Sequence, residues 1–389
     1  MLKALGNTGE DRLWGIANIS LNPGLTQNNV RFFIQEVMMA VQTYKQISDK
    51  KYISQLRELL KYLPQFCSQF FMGIDQTTAP RTQVAYATDL KTFFDYLKLN
   101  YRQYSDIEIH DYPVSILTEL QASDFEQYIQ YIKLYSNEQG RDVSNKERGI
   151  KRKLSSLRCM YNYFHKNRII MENPVLQVNM PKLHDKAIIR FEPDETADFL
   201  DNVETGENLT KKQQSFHDKL GTRDLAILTL FLGTGIRVSE CVGLDLQDVD
   251  LKNSRIKVTR KGGYEAYVYF GEEVLFALLP YIEERKAIIA EEGHENALFL
   301  SNRKTRISVR NIEYMVKKYA QTVTPGKKIT PHKLRSTYGT SLYRETGDIY
   351  LVADVLGHKD VNTTKKHYAA IDDDRKRQAR NIVKLRENK

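Results

Sequence analysis

Apolar residues recur along most of this chain at the three-to-four-residue spacing of an α-helix. In residues 81–97 this spacing places one set of side chains on a single helix face: Val84, Leu90, Phe93, Phe94 and Leu97. Similar patterns predict helices at 30–44 and 52–71, and over much of the chain beyond residue 190. We therefore expect a mainly α-helical protein.

Two short segments depart from helical spacing. Apolar and polar residues alternate over 255–259, which predicts a half-buried strand, and a second strand is predicted at 265–270. Between them lies Lys261-Gly262-Gly263, and a Gly-Gly pair is a strong signal for a tight hairpin turn. The predicted fold class is mainly α with a small β-sheet, and Lys261 is placed at the hairpin turn.

Prolines and changes in polarity divide the chain. Asn173-Pro174 and Met180-Pro181 mark an extended connector, because a residue that precedes proline is disfavoured in a helix. A polar stretch at 204–219 is predicted to be a surface loop. The predicted parts are a helical extension of unknown role at 1–76, a helical domain at 77–182, an α+β domain at 183–374, and a tail at 375–389.

Composition and charge narrow the class of protein. A chain of 389 residues is too long for one ordinary core, and 41% hydrophobic with 28% charged residues is typical of a globular protein. Neither a membrane-spanning apolar run nor a secretory signal is visible, so we expect a cytoplasmic protein without a membrane partner. The three cysteines are widely spaced, which disfavours disulfides and structural zinc. The net charge of +9 favours a polyanionic partner.

Residues with catalytic chemistry are concentrated in the predicted α+β domain. Each has an ordinary structural explanation when it is taken alone, such as a surface ion pair for an arginine or a half-buried ring for a tyrosine. Their occurrence together, in one order, favours a functional site instead. The candidates are Arg237, Lys261, His332, Arg335, His358 and Tyr368, with Glu240 one helical turn after the first arginine.

These residue types suit the cleavage of a phosphodiester without a metal or ATP. Arg237 and Arg335 can each donate forked hydrogen bonds to the non-bridging oxygens and offset charge that develops in the transition state. Tyr368 is the candidate nucleophile, and His332 is the candidate for assisting its deprotonation. His358 is better suited to donate to the phosphate.

Two further side chains complete the set. Lys261 is cationic and lies at a predicted hairpin turn, so it is the candidate to protonate the departing 5′-oxygen. Glu240 is expected to orient an arginine or a histidine. Because the sequence contains neither a nucleotide-binding motif nor a cluster of metal ligands, we expect no cofactor.

Positive charge is also concentrated between residues 144 and 186. Basic and apolar residues interleave there at helical spacing, which predicts an amphipathic helix with a cationic face. In isolation such a face is as often solvated surface as a binding site. Its position one domain ahead of the phosphate-handling residues favours contact with the DNA backbone. The candidate DNA-binding residues are Lys146, Arg148, Lys151, Arg152, Lys153 and Arg158.

The conjunction of these motifs resembles the tyrosine recombinase, or phage integrase, family. Four segments carry the resemblance: an arginine box, a hairpin lysine, an HxLR box and an LGH box, at Thr234–Glu240, Arg260–Gly262, His332–Arg335 and Leu356–His358. The common glycine before the hairpin lysine is Arg260 here. Tyr368 lies ten residues after His358, a longer spacing than in some members, and the neighbouring His367 would be a poor substitute for a phenol.

The resemblance implies a core-binding domain at 77–182 and a catalytic domain at 183–374. It implies an enzyme that forms a 3′-phosphotyrosyl ester on double-stranded DNA, frees a 5′-hydroxyl and then rejoins strands. Because recombination takes four such events, it also implies a homotetramer on two DNA sites, with the tail at 375–389 docked on a neighbouring protomer. Accessory DNA-bending or directionality proteins could join as partners, and the expected location is the nucleoid.

Alternative functions stay open at this point. Integration or excision of a mobile element is favoured because residues 1–76 form an extra segment, but Xer-like resolution of chromosome dimers uses the same chemistry. A type IB topoisomerase would reseal its own broken strand without exchanging partners. A DNA-binding protein that has lost catalysis is disfavoured because all six catalytic positions are present, and a metal-free phosphodiesterase of another fold is more distant.

Overall fold

The computed structural model describes residues 44–136, 140–183, 189–260, 262–358, 360–362 and 364. The chain divides into two compact units, residues 1–184 and 185–389, and each is described by itself. The division lies two residues from the predicted boundary between 182 and 183. The helix predicted at 30–44 falls almost wholly outside the described residues, as do Lys261, Tyr368 and the tail.

The first unit is mainly helical. Its helices are α1 Tyr44–Leu60, α2 Gln65–Ile74, α3 Pro80–Asn100, α4 Arg102–Ser105, α5 Ile116–Glu119, α6 Ala122–Lys133 and α7 Glu147–Lys166. Short 3₁₀ turns lie at Ile109–Asp111 and Pro174–Leu176. Strands β1 Leu134–Ser136 and β2 Asp142–Ser144 pair antiparallel between α6 and α7. The sequence pattern did not predict this hairpin, because each strand is too short to show alternation.

Aromatic side chains fill the core of the first unit. Phe93 on α3 stacks on Phe125 and meets Tyr128 edge to face, both on α6. The same core contains Leu56 from α1 and Phe70 from α2. The described part of the predicted N-terminal extension therefore packs into one core with the predicted core-binding domain.

A buried carboxylate ties α3 to α7. Asp89 is 1% exposed. Its carboxylate accepts hydrogen bonds from Lys153 Nζ at 3.2 Å and from Arg152 Nη1 at 2.5 Å. Because an unpaired charge in a protein interior costs several kcal/mol, these contacts satisfy a charge that could not be buried alone.

The second unit combines helices with one small sheet. Its helices are α8 Pro193–Thr205, α9 Lys211–Thr234, α10 Val238–Gly243, α11 Glu272–Ala287, α12 Val309–Val323, α13 Pro331–Thr346 and α14 Ile349–Leu356. A 3₁₀ turn lies at Leu246–Asp248, and the strands are β3 Val249–Asp250, β4 Arg255–Thr259 and β5 Glu265–Tyr269. Helix α9 packs against α8, α11 and α13. None of the described helices is long and apolar enough to cross a membrane.

The predicted hairpin is present in the second unit. Strands β4 and β5 pair antiparallel, with Ile256 opposite Val268 and Thr259 opposite Glu265, and β3 adds to the other edge of β4. Ile256, Val258 and Val268 are buried, as the alternation predicted. The fold class, mainly α with a small β-sheet, is confirmed.

The surface loop predicted at 204–219 is wrong over its second half. Helix α9 begins at Lys211, and a capping box starts it: Thr210 Oγ1 accepts from the Gln213 backbone N–H, and the Gln213 side chain accepts from the Thr210 N–H. Most side chains in this first part of the helix are exposed, which accounts for its polar sequence. His217 is buried, and its Nδ1 contacts Tyr319 Oη at 3.0 Å.

Candidate functional site

The chain reverses direction just before the first candidate arginine. Helix α9 ends at Thr234, and Gly235 adopts a left-handed conformation with φ of +62°. A Cβ at this position would lie 2.5 Å from Cδ1 of Tyr338, so glycine is required both for the backbone and for the close approach. Arg237 follows as the N-cap residue of α10, and its side chain is 30% exposed.

Glu240 binds both the backbone and the side chain of Arg237. The Arg237 backbone N–H and its Nη1 each donate to the Glu240 carboxylate at 2.8 Å. The Glu240 side chain is 2% exposed, so its charge is buried against the arginine. A second cation lies near it, because Arg260 Nη1 is 3.5 Å from Glu240 Oε2.

The HxLR segment occupies the first turns of α13. Arg335 is 4% exposed, and it donates from Nη1 to the Gly235 carbonyl at 2.6 Å and from Nη2 to the Leu356 carbonyl. The arginine thus links the end of α9 to the end of α14. His332 lies one turn earlier on the same helix face, and it is exposed.

The C-terminal end of α14 is the meeting point of the site. The last carbonyl groups of any helix have no partner within the helix, and the helix dipole makes that end negative. Here Arg335 and Arg260 both donate to the Leu356 carbonyl, and Arg237 Nη2 donates to the Gly357 carbonyl at 3.1 Å. Three guanidinium groups therefore lie around one helix end.

His358 lies in the turn that follows this helix end. Gly357 closes α14 in a left-handed conformation, with φ of +62°, and the His358 backbone N–H donates to the Ala353 carbonyl at 2.9 Å. The His358 ring contacts Thr364 Oγ1 through Nδ1 at 2.7 Å, and Thr364 is fully buried. This contact orients the imidazole.

The structure brings four of the predicted site residues to one place: Arg237, Glu240, Arg335 and His358. His332 shares the helix of Arg335, whereas Lys261 and Tyr368 lie outside the described residues. Sequence reasoning missed Arg260 as a member of this group. The available signal was that a large cation replaces the glycine common at that position. The catalytic roles of all these residues stay predictions.

The candidate DNA-binding residues on and beside α7 differ in their surroundings. Lys146 and Arg148 are exposed, and Lys151 is half-buried. Arg152 is about half exposed, with a side-chain exposure of 49%, although it contacts Asp89. These four side chains can reach solvent, so a role in DNA contact stays a prediction that the geometry permits.

Two other candidates point into the first unit. Lys153 is 5% exposed, and its ammonium donates to Asp89 and to Thr92 Oγ1. Arg158 donates from Nε to the Val175 carbonyl at 3.2 Å and from Nη2 to the Val178 carbonyl at 2.6 Å. Both side chains hold neighbouring segments together. The sequence could not show this, since their partners are distant in the chain.

Cys241 lies in α10, close to Glu240, but it is not suited to act as a nucleophile. The thiol is fully buried, and this burial raises its pKa above the ordinary range of a cysteine. The thiol therefore stays protonated at neutral pH. Among the described residues, no group of three or more histidine, cysteine, aspartate or glutamate side chains is arranged to hold a metal ion.

The sequence of this chain is similar to those of known proteins. Residues 190–375 match the model of the phage integrase family. Tyrosine recombinase XerC of Caldanaerobacter subterraneus subsp. tengcongensis is 33% identical over 337 residues, which cover 83% of this chain and 88% of the relative. Tyrosine recombinase XerS of Streptococcus thermophilus is 30% identical over 357 residues, covering 85% and 98%.

Solved structures share the fold. A Tn1549 transposon integrase in complex with transposon right end DNA superposes with a TM-score of 0.57 at 20% identity, covering 82% of this chain and 99% of that one. The XerH site-specific recombinase in a post-cleavage complex with its palindromic difH substrate gives 0.55 at 15% identity, covering 74% and 75%. At these identities the likeness concerns the fold alone.

The helix end predicts a specific effect of Gly357→Ala. Besides the strain of a left-handed alanine, about 1–2 kcal/mol, the new Cβ would lie 2.9 Å from the Arg260 guanidinium. Gly293→Ala is the matched control, because Gly293 has φ of +77° but nothing within 4 Å of the added Cβ. In urea denaturation, the free energy of unfolding should fall further for Gly357→Ala than for Gly293→Ala, by at least about 1 kcal/mol. Equal losses would contradict this picture of a crowded turn.

Proposed function

The chain belongs to the phage integrase family of tyrosine recombinases, and we propose that Tyr368 attacks a DNA phosphodiester held by Arg237 and Arg335. Membership in this family makes the protein an enzyme that cleaves and rejoins DNA strands. The observation that supports the assignment of roles is the convergence of both arginines on the carbonyl groups at the end of α14, beside His358.

The arginines would bind the phosphate and stabilise its transition state. A guanidinium group has five N–H donors. Among the described residues, the Arg237 side chain donates two hydrogen bonds, to Glu240 and to the Gly357 carbonyl. Because the side chain is partly exposed, its other N–H groups can donate to a phosphate oxygen. Such donors cost no reorganisation when charge develops, and the loss of one typically slows an enzyme by about 10²–10³-fold.

Tyr368 is proposed as the nucleophile. A phenol with an ordinary pKa of about 10 is mostly protonated at neutral pH, and nearby guanidinium groups favour its ionised form. His332 is the proposed proton acceptor. Thr364 contacts the His358 ring, and four residues of extended chain span at most about 14 Å. Chain connectivity therefore permits Tyr368 to reach the arginines.

The proposed cleavage and rejoining of the phosphodiester require neither an oxidant nor a nucleotide. The Tyr368 oxygen forms a bond to phosphorus as the bond from phosphorus to the 5′-oxygen breaks, and Lys261 supplies the proton for that oxygen. His358 donates to a non-bridging oxygen. The 3′-phosphotyrosyl ester retains the energy of the original bond, so a 5′-hydroxyl of another strand can attack it and restore a phosphodiester.

The biological role that we propose is integration and excision of a mobile element, carried out by a homotetramer on two DNA sites. The segment at 1–76 that precedes the predicted core-binding domain supports this role. Accessory DNA-bending or directionality proteins could assist it, and the site of action would be nucleoid DNA in the cytoplasm. Resolution of chromosome dimers is the second candidate, since relatives of at least 30% identity are Xer recombinases. An element end in the DNA beside the gene would favour the first role.

Tyr368→Phe should abolish the covalent adduct and leave DNA binding nearly intact, because the substitution removes only the nucleophilic oxygen. The measurement is a denaturing gel of protein incubated with a nicked suicide duplex, together with a gel-shift titration. The wild-type chain should give a slowly migrating protein–DNA band that the variant lacks. A variant band of undiminished yield would refute the assignment of the nucleophile.

Lys261→Ala should slow the cleavage of ordinary DNA by about 10²–10⁴-fold, the usual contribution of a general acid. A duplex whose scissile 5′-oxygen is replaced by sulfur carries a leaving group that needs no proton. On this duplex the Lys261→Ala rate should recover most of the loss. Arg237→Ala is the control and should remain slow on both substrates, because the phosphate still needs charge stabilisation.

Equal defects of Lys261→Ala on the oxygen and sulfur substrates would show that the lysine positions DNA without delivering the proton. The general acid would then have to be another group, and His332 would be the next residue to test.

The exposed basic face of α7 should contribute to affinity for any DNA sequence. Charge reversal at Arg148 and Lys151 should weaken duplex binding uniformly, and it should reduce the slope of log affinity against log salt by roughly one per lost phosphate contact. Two-site reversal at the exposed Lys50 and Lys51 of α1 makes the same change in net charge and serves as the control. Unchanged affinity and slope in the α7 variant would make that face solvated surface.

A further inference from the structure

Arg260 continues the alternation of β4, in which Ile256 and Val258 are buried, and its own side chain is buried as well. It directly follows β4, and its backbone closes the turn: its N–H donates to the Tyr264 carbonyl and its carbonyl accepts from the Gly263 N–H, both at 2.9 Å. Its side chain is 5% exposed. A guanidinium group is retained in such surroundings when its donors have partners.

The partners of Arg260 belong to the candidate site. Nη1 donates to the Leu356 carbonyl and Nη2 to the Val355 carbonyl, each at 3.1 Å. Nη1 also lies 3.5 Å from Glu240 Oε2. The guanidinium group packs against Gly357, where a Cβ would come within 2.9 Å of it. The Arg260 guanidinium therefore occupies the space that a side chain at position 357 would need.

We propose that Arg260 is a positioning residue for the two phosphate-binding arginines, an inference that rests on the function proposed for Arg237 and Arg335. Arg260 shares the Leu356 carbonyl with Arg335, and it shares the Glu240 carboxylate with Arg237. It thereby links the sheet to the end of α14 by hydrogen bonds and to α10 by an ion pair. The substrate phosphate is contacted by the other two arginines, and Arg260 acts through their partners.

Loss of Arg260 would release these partners together. The Val355 carbonyl would lose the donor described above, and the buried Glu240 carboxylate would lose its second cation. Both changes favour movement of the turn at 355–358 and of the Arg237 side chain. A misplacement of about 1 Å at a reacting centre can cost on the order of 10²-fold in rate.

A matched control exists in the same unit. Arg285 on α11 is 3% exposed and donates to the carbonyl groups of Ile288, Glu295 and Ala297, at 3.2, 2.7 and 3.0 Å. Its burial and its carbonyl partners resemble those of Arg260, but these partners are not part of the candidate site. Substitution of either arginine by alanine should lower the unfolding temperature, so the two variants separate positioning from general stability.

The test measures single-turnover formation of the covalent adduct at saturating enzyme, at a temperature well below the unfolding transition of every variant. Arg260→Ala should slow adduct formation by about 10–100-fold with duplex affinity unchanged, whereas Arg285→Ala should stay within about twofold of wild type. Arg260→Lys keeps a charge near Glu240 but cannot span two carbonyl groups. Its rate should fall between those of wild type and Arg260→Ala.

The sulfur-substituted duplex identifies which group Arg260 serves. Because phosphate binding is needed on both substrates, Arg260→Ala should be slowed by the same factor, relative to wild type, on the oxygen and on the sulfur duplex. The inference is overturned if Arg260→Ala is slowed no more than Arg285→Ala, or if the sulfur substrate restores its rate, which would place the effect on protonation of the leaving group. Should Arg260→Ala fail to fold, a wild-type rate for Arg260→Lys overturns the inference. Absence of an adduct with the wild-type chain would contradict the proposed function itself.

Discussion

The end of α14 imposes the constraint on which the site depends. A helix that stops inside a protein leaves carbonyl groups without partners, and water cannot reach them there. In this chain guanidinium groups from three separate elements satisfy these carbonyls: Arg237 at the start of α10, Arg260 after β4 and Arg335 on α13. The requirement to satisfy a helix end thus gathers the positive charge that a DNA phosphate needs.

Three guanidinium groups and the Glu240 carboxylate lie close together at this helix end. Among the described contacts of the three guanidinium groups, Glu240 supplies the acidic partner, and it is buried against Arg237. The cations repel one another, and hydrogen bonds to carbonyl dipoles offset part of that repulsion without neutralising it. A phosphodiester entering the site would add a negative charge beside these guanidinium groups. The same preorganisation therefore serves both the fold and the chemistry that we propose.

Much of this architecture was predictable from local sequence patterns. Alternation over 255–259 and the Gly-Gly pair predicted the hairpin, and the apolar spacing over 81–97 predicted helix α3. Contacts between distant residues were not predictable in this way. Lys153 had the pattern of an outer-face cation, yet it pairs with Asp89, 64 residues earlier in the chain. The role of Arg260 depends likewise on carbonyl groups more than 90 residues away.

We propose that this assembly of arginines serves attack by Tyr368 on DNA. The most direct measurement is to trap the adduct on a nicked duplex, digest the protein and the DNA, and identify the modified peptide by mass spectrometry. We expect a nucleotide 3′-phosphate attached to the Tyr368 side chain and a free 5′-hydroxyl on the released strand. Attachment to another residue, or a 5′-phosphate on the protein with a free 3′-hydroxyl on the DNA, would contradict it.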